Sequence, residues 1–238
     1  MKAFRSFSVL ALGILFSLSS FGQTADEIIN KHIEAIGGKE NWKKVNSIRQ
    51  EGSITVQEME IPVITTTIHN KATKQEFSAM GMSVYSIITS EGGWSFNPMM
   101  GQTEPEAMGE DQLKYGNYQL DAQGEFIDYK EKGHSIEKLE NEDVDGVSCY
   151  RIKLNRKSGT SSTFFIDPNS YYVVRNTSAI NVGGQTIELV MNMSNHQKLP
   201  EGIVMPHTME NSQIPAPLNL TKVEINGEID EATFKVNK

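Results

Sequence analysis

From Ile48 onward, apolar and β-branched residues return at every second position, and each such run is cut short by a cluster of turn residues. Strand side chains alternate between two faces, so runs of this period bury one face and need neighbours for their edges. The runs are Ile48–Gln57, Ile61–His69, Lys74–Ala79, Met82–Thr89 and Gly93–Phe96, then Ser135–Leu139, Val147–Leu154, Thr160–Ile166, Tyr171–Ala179, Gln185–Asn195, Ile203–Glu210 and Leu218–Ile225. Their connections include Asp145-Gly146, Ser158-Gly159, Asp167-Pro168-Asn169, Gly183-Gly184 and Pro200-Glu201-Gly202, all suited to tight turns. No strand-helix alternation is present, so a doubly wound parallel sheet is not expected. The chain is expected to be mainly β: one antiparallel meander, closed or half-closed into a barrel.

The 238 residues suit a single domain of this kind, with 38% hydrophobic and 22% charged residues. The first 22 residues read differently. Lys2 and Arg5 precede an apolar run, Phe7 to Phe16, and small residues follow at Ser19, Ser20 and Gly22. That pattern predicts a secretory signal peptide over 1–22, too short in its apolar core to anchor in a bilayer. The domain proper is then expected over 23–238, in the periplasm. Cys149 is the single cysteine, so neither an internal disulfide nor a lipid-bearing cysteine at the cleavage site is expected. Loss of Lys2 and Arg5 takes the formal charge from −8 to −10, which argues against nucleic acid as a partner.

One helix is written clearly. Thr24 can cap it, Glu27 completes a capping box, and Ile28, Ile29, Ile33 and Ile36 recur at helical spacing before Gly37 and Gly38 end it. A short helical turn over Lys39–Val45 should bury Trp42 and Val45. The strand rhythm breaks between Asn97 and Gly133, where Pro98, Met99, Met100, Pro105 and Met108 are followed by weak helical spacing. An insertion of this length in a compact domain is commonly a lid or a binding loop.

Motifs that could carry chemistry fail on their partners. His32 and Glu34 form an H-x-E string without the cysteine pair that zinc deaminases add to it. Asn141, Asp143, Asp145 and Gly146 match the first half of a calcium loop, but Ile152 stands where its bidentate glutamate belongs, which favours a hairpin turn. His69, His134, His196 and His207 show no paired ligand spacing, and no G-x-S-x-G elbow occurs. No catalytic residue, metal or cofactor is expected. The more informative residues are apolar: Trp94, Phe96, Met99, Met100 and Met108 cluster around the start of the insertion, near Met82 in sequence. With Ile29, Ile33 and Ile36 of the helix they are the expected lining of a deformable apolar cavity under a lid.

The opening "ADEIINKHIEAIGGKENWKKVNSI", the element "FFIDPNSYYVVR" (Phe164 to Arg175), "KLPEGIVMP" (Lys198 to Pro206) and "VEINGEIDEATF" (Val223 to Phe234) together resemble the outer membrane lipoprotein-sorting proteins of the Bacteroidetes group. Those in turn resemble the periplasmic lipoprotein carrier LolA. The resemblance implies a half-open antiparallel β-barrel of about eleven strands, with helices as a lid over a hydrophobic cavity. It also implies a soluble, non-catalytic carrier of lipoprotein acyl chains or another lipid, monomeric, exchanging cargo with membrane donor or acceptor proteins. A lid-latching arginine belongs to that picture, and Arg49 in the first strand is its candidate. Two other readings stay open: an accessory interaction domain whose barrel is filled by side chains, and a hydrolase whose histidines converge on an ion.

Overall fold

The computed structural model describes residues 23–182 and 185–236; the signal-peptide expectation and the Gly183-Gly184 turn lie outside the described residues. Helix α1 (Ala25–Ala35) begins as its sequence requires, with Thr24 Oγ1 accepting from Glu27 N and Glu27 Oε2 accepting from Thr24 N. It ends at Gly37 and Gly38, both at positive φ, where the Gly38 amide donates back to the Ile33 carbonyl at 2.8 Å. The short helix α2 (Lys39–Trp42) follows, and the Trp42 indole donates to the Ile36 carbonyl at 2.9 Å.

Thirteen strands then form one antiparallel sheet: β1 (Ser47–Val56), β2 (Met59–Ile68), β3 (Ala72–Ala79), β4 (Met82–Thr89), β5 (Gly92–Phe96), β6 (Glu106–Ala107), β7 (Ser135–Val144), β8 (Val147–Asn155), β9 (Ser161–Ile166), β10 (Val173–Val182), β11 (Gln185–Lys198), β12 (Val204–Asn211) and β13 (Leu218–Ile225). The count exceeds the expected eleven, partly because a two-residue strand forms inside the insertion. The spatial order is β6-β5-β4-β3-β2-β1-β13-β12-β11-β10-β9-β8-β7, so the sheet is open and its edges are β6 and β7. The calcium-like stretch is the β7–β8 hairpin turn. Asp145 and Gly146 both take positive φ, and the Gly146 amide donates to Asp143 Oδ1 at 2.9 Å.

Pairing register defines the inner face. Ile54, Gly52, Gln50 and Ile48 of β1 align with Leu218, Leu220, Val223 and Ile225 of β13 on one side and with Ile61, Val63, Thr65 and Thr67 of β2 on the other. Residues from β1, β3 and β4 share a cavity with residues of β9 to β13, so the sheet is curved into a trough with this face inside.

The trough has two unlike ends. At the base, where β9–β10 and β11–β12 turn, α1 and α2 are sunk into it. Ile28 and Ile29 are fully buried against Ile152, Leu154, Phe164 and Ile166, while Trp42 and Val45 pack with Ile48, Ile127 and Ile203. The fit is close: a side chain on Gly37 would meet the Gly202 carbonyl at 2.2 Å. At the opposite end, the rim, lie the β1–β2, β3–β4, β5–β6 and β12–β13 turns, and there Met59, Met80, Met99, Met100 and Ile214 are exposed.

Candidate functional site

The strands flanking the insertion are the two edges of the sheet, so the chain from Met108 to His134 must cross the mouth of the trough to join them. Its first half carries helix α3 (Glu110–Gly116) and a 3-10 turn, Asn117–Leu120. It is pressed onto β4 and β5: a side chain on Gly93 would meet Leu113 and Met108 at 2.8 Å, and one on Gly116 would meet Ile88 at 2.5 Å. The second half is fastened to the base. The Asn70 amide donates to the Leu120 carbonyl (2.7 Å), Gln123 Nε2 to the Val45 carbonyl (3.2 Å), and Tyr129 Oη to Asp26 Oδ1 (2.5 Å). Asp128 takes ion pairs from Lys39 and Lys43, which hold its carboxyl below the usual range.

Two cavities remain beneath this crossing. The larger, about 570 Å³, lies toward the rim between α3 and the sheet. The smaller, about 460 Å³, lies toward the base, and Tyr118, Gln119 and Met209 line both, so the 3-10 turn is the partition between them. Taking on the order of 30 Å³ for a methylene-sized group, the share of one water in the liquid, each space suits about one long acyl chain.

The larger cavity is amphipathic by register. Ile180, Leu189, Met191, Met209, Leu218 and Ile54 run across β10 to β13 and β1 as an apolar wall. Ser178 and Asn176 on β10, with Ser161 and Arg156 beside them, form a polar flank. Arg156 is the one charged residue lining this cavity among the described residues. Its side chain is 7% exposed; Nε and Nη2 pair with the Glu125 carboxylate of the insertion, Nη2 also donates to Ser162 Oγ (2.8 Å), and the guanidinium lies 4.6 Å from the centre of the Tyr118 ring. The crossing is thus gripped from the sheet by an arginine, but by Arg156. Arg49 lies elsewhere, paired with Glu51 at 3.0 Å and aligned with Thr66 on the face opposite the cavities.

The smaller cavity is lined by His32, Ile36, Trp42, Phe126, Phe164 and Met193 among others. His32 Nδ1 donates to the Tyr171 carbonyl at 2.7 Å and its ring meets Phe126 edge-on. Burial pulls its pKa down to about 4, so it is neutral at physiological pH. His196 also lines this cavity, stacked 4.5 Å from Tyr172, and burial lowers its pKa too. Among the described residues no group of three His, Cys, Asp or Glu side chains could hold a metal ion, and no helix is long and apolar enough to cross a membrane. Cys149 is buried, and burial raises its thiol pKa.

The structure distributes the sequence-predicted lining widely. Met108 lines the larger cavity and Ile36 the smaller. Ile29 is in the base core, with Ile33 packed at its margin. Trp94 and Phe96 align with Ile87 and Tyr85, the face opposite Ile88, and so point away from the larger cavity. Met82 opens β4 at the rim, where Met99 and Met100 are half and largely exposed. The cavity-lining residues of β10 to β13 were missed, although the spacing of Leu189, Met191 and Met193, and then of Met205 and Met209, was legible as one face.

No protein-family model matches this sequence, and no curated protein matches it. Solved structures do. A LolA-superfamily protein from Nitrosomonas europaea superimposes with a TM-score of 0.55 at 14% identity, over 90% of this chain and 99% of that one. An outer membrane lipoprotein-sorting protein domain from Vibrio parahaemolyticus gives a TM-score of 0.53 at 14% identity, over 87% and 94%. This chain shares their fold: an open antiparallel sheet curled around helices. At such identities the likeness speaks for the fold.

Proposed function

We propose that this protein is a non-catalytic periplasmic carrier or binding protein for the acyl chains of lipoproteins or another lipid. One observation carries the reading: a crossing segment covers two adjoining cavities of acyl-chain size, the larger walled on one side by aliphatic residues of five strands. Burial of a chain there gains roughly 0.8 kcal/mol per CH₂, enough for a single acyl chain to leave water for the trough. The fold supports the reading because it is shared with an outer membrane lipoprotein-sorting protein domain. Lipid mass spectrometry on protein purified from periplasm tests it. Stoichiometric acyl lipid is the expected result, and a protein that is consistently empty and fails to displace a fluorescent fatty-acid probe would contradict it.

A further inference from the structure

The larger cavity differs from a plain apolar slot in one respect: among the described residues its only charge, in a chain with 30 acidic and 22 basic residues, is a buried cation. A guanidinium has five N–H donors. In Arg156 those on Nε and Nη2 are engaged by Glu125 and Ser162, whereas Nη1 has only Thr160 Oγ1 at 3.5 Å, the long limit of a hydrogen bond. Glu125 approaches from the other side, since it lines the smaller cavity and not the larger. The hydroxyls beside the arginine form a relay, with Ser162 Oγ 2.6 Å from Ser178 Oγ. Asn176, next on the same face, lines the cavity and makes no side-chain hydrogen bond among the described residues. Both residues with unfilled donors line this one cavity, and Leu189 and Met191 stand beside Ser178 and Asn176 on the next strand, with Leu218 beyond them on the same wall.

We infer that the larger cavity is the seat of one single-chain amphiphile with an anionic head: its carboxylate or phosphate on Nη1 of Arg156 and the Asn176 amide, its chain along the aliphatic wall. The inference rests on the lipid-binding reading above and specifies its ligand. A neutral head offers Nη1 an uncharged acceptor, whereas an anion gains a charge-assisted bond, roughly twice as strong, inside a partly enclosed site. Glu125 stays in place and fixes the guanidinium plane, at the cost of repelling the incoming anion.

Dodecanoate, dodecyl phosphate and neutral dodecanol, titrated at neutral pH against the purified protein, provide the test. Both anions should bind about tenfold or more tightly than dodecanol, the scale of one charged hydrogen bond. Arg156→Gln should abolish that preference, so that both anions bind no more tightly than dodecanol, and Glu125→Gln should tighten the anions a few-fold by removing the competing charge. Equal binding of all three probes to the unaltered protein would overturn the head assignment while the lipid reading stands. Binding of none would overturn both. If Arg156→Gln fails to fold by thermal melting, Glu125→Gln decides, and unchanged or weaker anion binding in it refutes the inference.

Discussion

The base and the rim of the trough share one sheet and one inward face, yet they are built to opposite specifications. At the base, α1 and α2 close the trough with a glycine whose absent side chain lets two backbones touch, and Ile28, Ile29 and Ile203 there have no exposed surface. Toward the rim, the same register continues into residues that are half-buried around empty space, covered by a short helix whose outer residues face solvent. Stability and capacity are therefore separated along the strands. A half-barrel with both ends filled would bind nothing, and one with neither filled would lack a core.

That contrast can be broken most forcefully by truncation. Ile29→Ala should lose about 2–4 kcal/mol of unfolding free energy, since it opens a void in a closed cluster. Leu189→Ala, which only enlarges an existing cavity, should lose less than about 1 kcal/mol. Chemical denaturation compares them, and equal losses would dissolve the distinction.

Acid probes the boundary between the two regions. Burial depresses the His32 pKa from 6.5 in the unfolded chain to about 4. The unfolded state takes up the proton first, so stability should fall as pH drops from 6.5 toward 4, by up to about 3 kcal/mol if no relaxation intervenes. His196, also depressed by burial and facing the same cavity, adds in the same direction, whereas Asp26 and Asp128, held low by their lysines, lose their contribution only on further acidification. His32→Gln should flatten the upper part of that window. A denaturation series across it that matches the unaltered protein would count against a buried neutral His32.

The seating of the crossing segment is addressed by Gly93→Leu, which places a side chain where Leu113 and Met108 now lie. It should cost about 1–3 kcal/mol, and hydrogen exchange should quicken in residues 110–120 while α1 keeps its protection. Uniform quickening would mean that the segment is an integral part of the core. Smallest of all, Arg49→Ala removes a half-exposed pair on the outer face and should shift stability by no more than about 0.5 kcal/mol, with lipid affinity unchanged.

Local grammar made much of the fold legible in advance. The capping box, the two glycines and the Asp145-Gly146 turn each specify their geometry within a few residues. The inward face was harder to read wherever both faces are buried. Ile87 and Ile88 are adjacent and both nearly inaccessible, so alternation could not show that Trp94, opposite Ile87, points away from the cavity. Strand β10 begins at Val173 and not Tyr171 because Asp167 organises a turn, accepting from the Asn169 and Ser170 amides, with Tyr171 at positive φ. The grip on the crossing segment was out of reach, because Glu125 and Arg156 are 31 positions apart and meet only once the sheet has curled. A buried ion pair leaves no periodic trace in a sequence.

Photocrosslinking with a diazirine-bearing fatty acid, followed by peptide mapping, reads directly which end of the trough takes a chain. Labelling should concentrate on α3 and on the inward residues of β11 to β13, such as Met191, Met209 and Leu218, with Ile28, Ile29 and β8 unmarked. Labels on Ile29 or Ile152, or scattered over the outer face around Trp94 and Arg49, would contradict a closed base and an open, lipid-accepting rim.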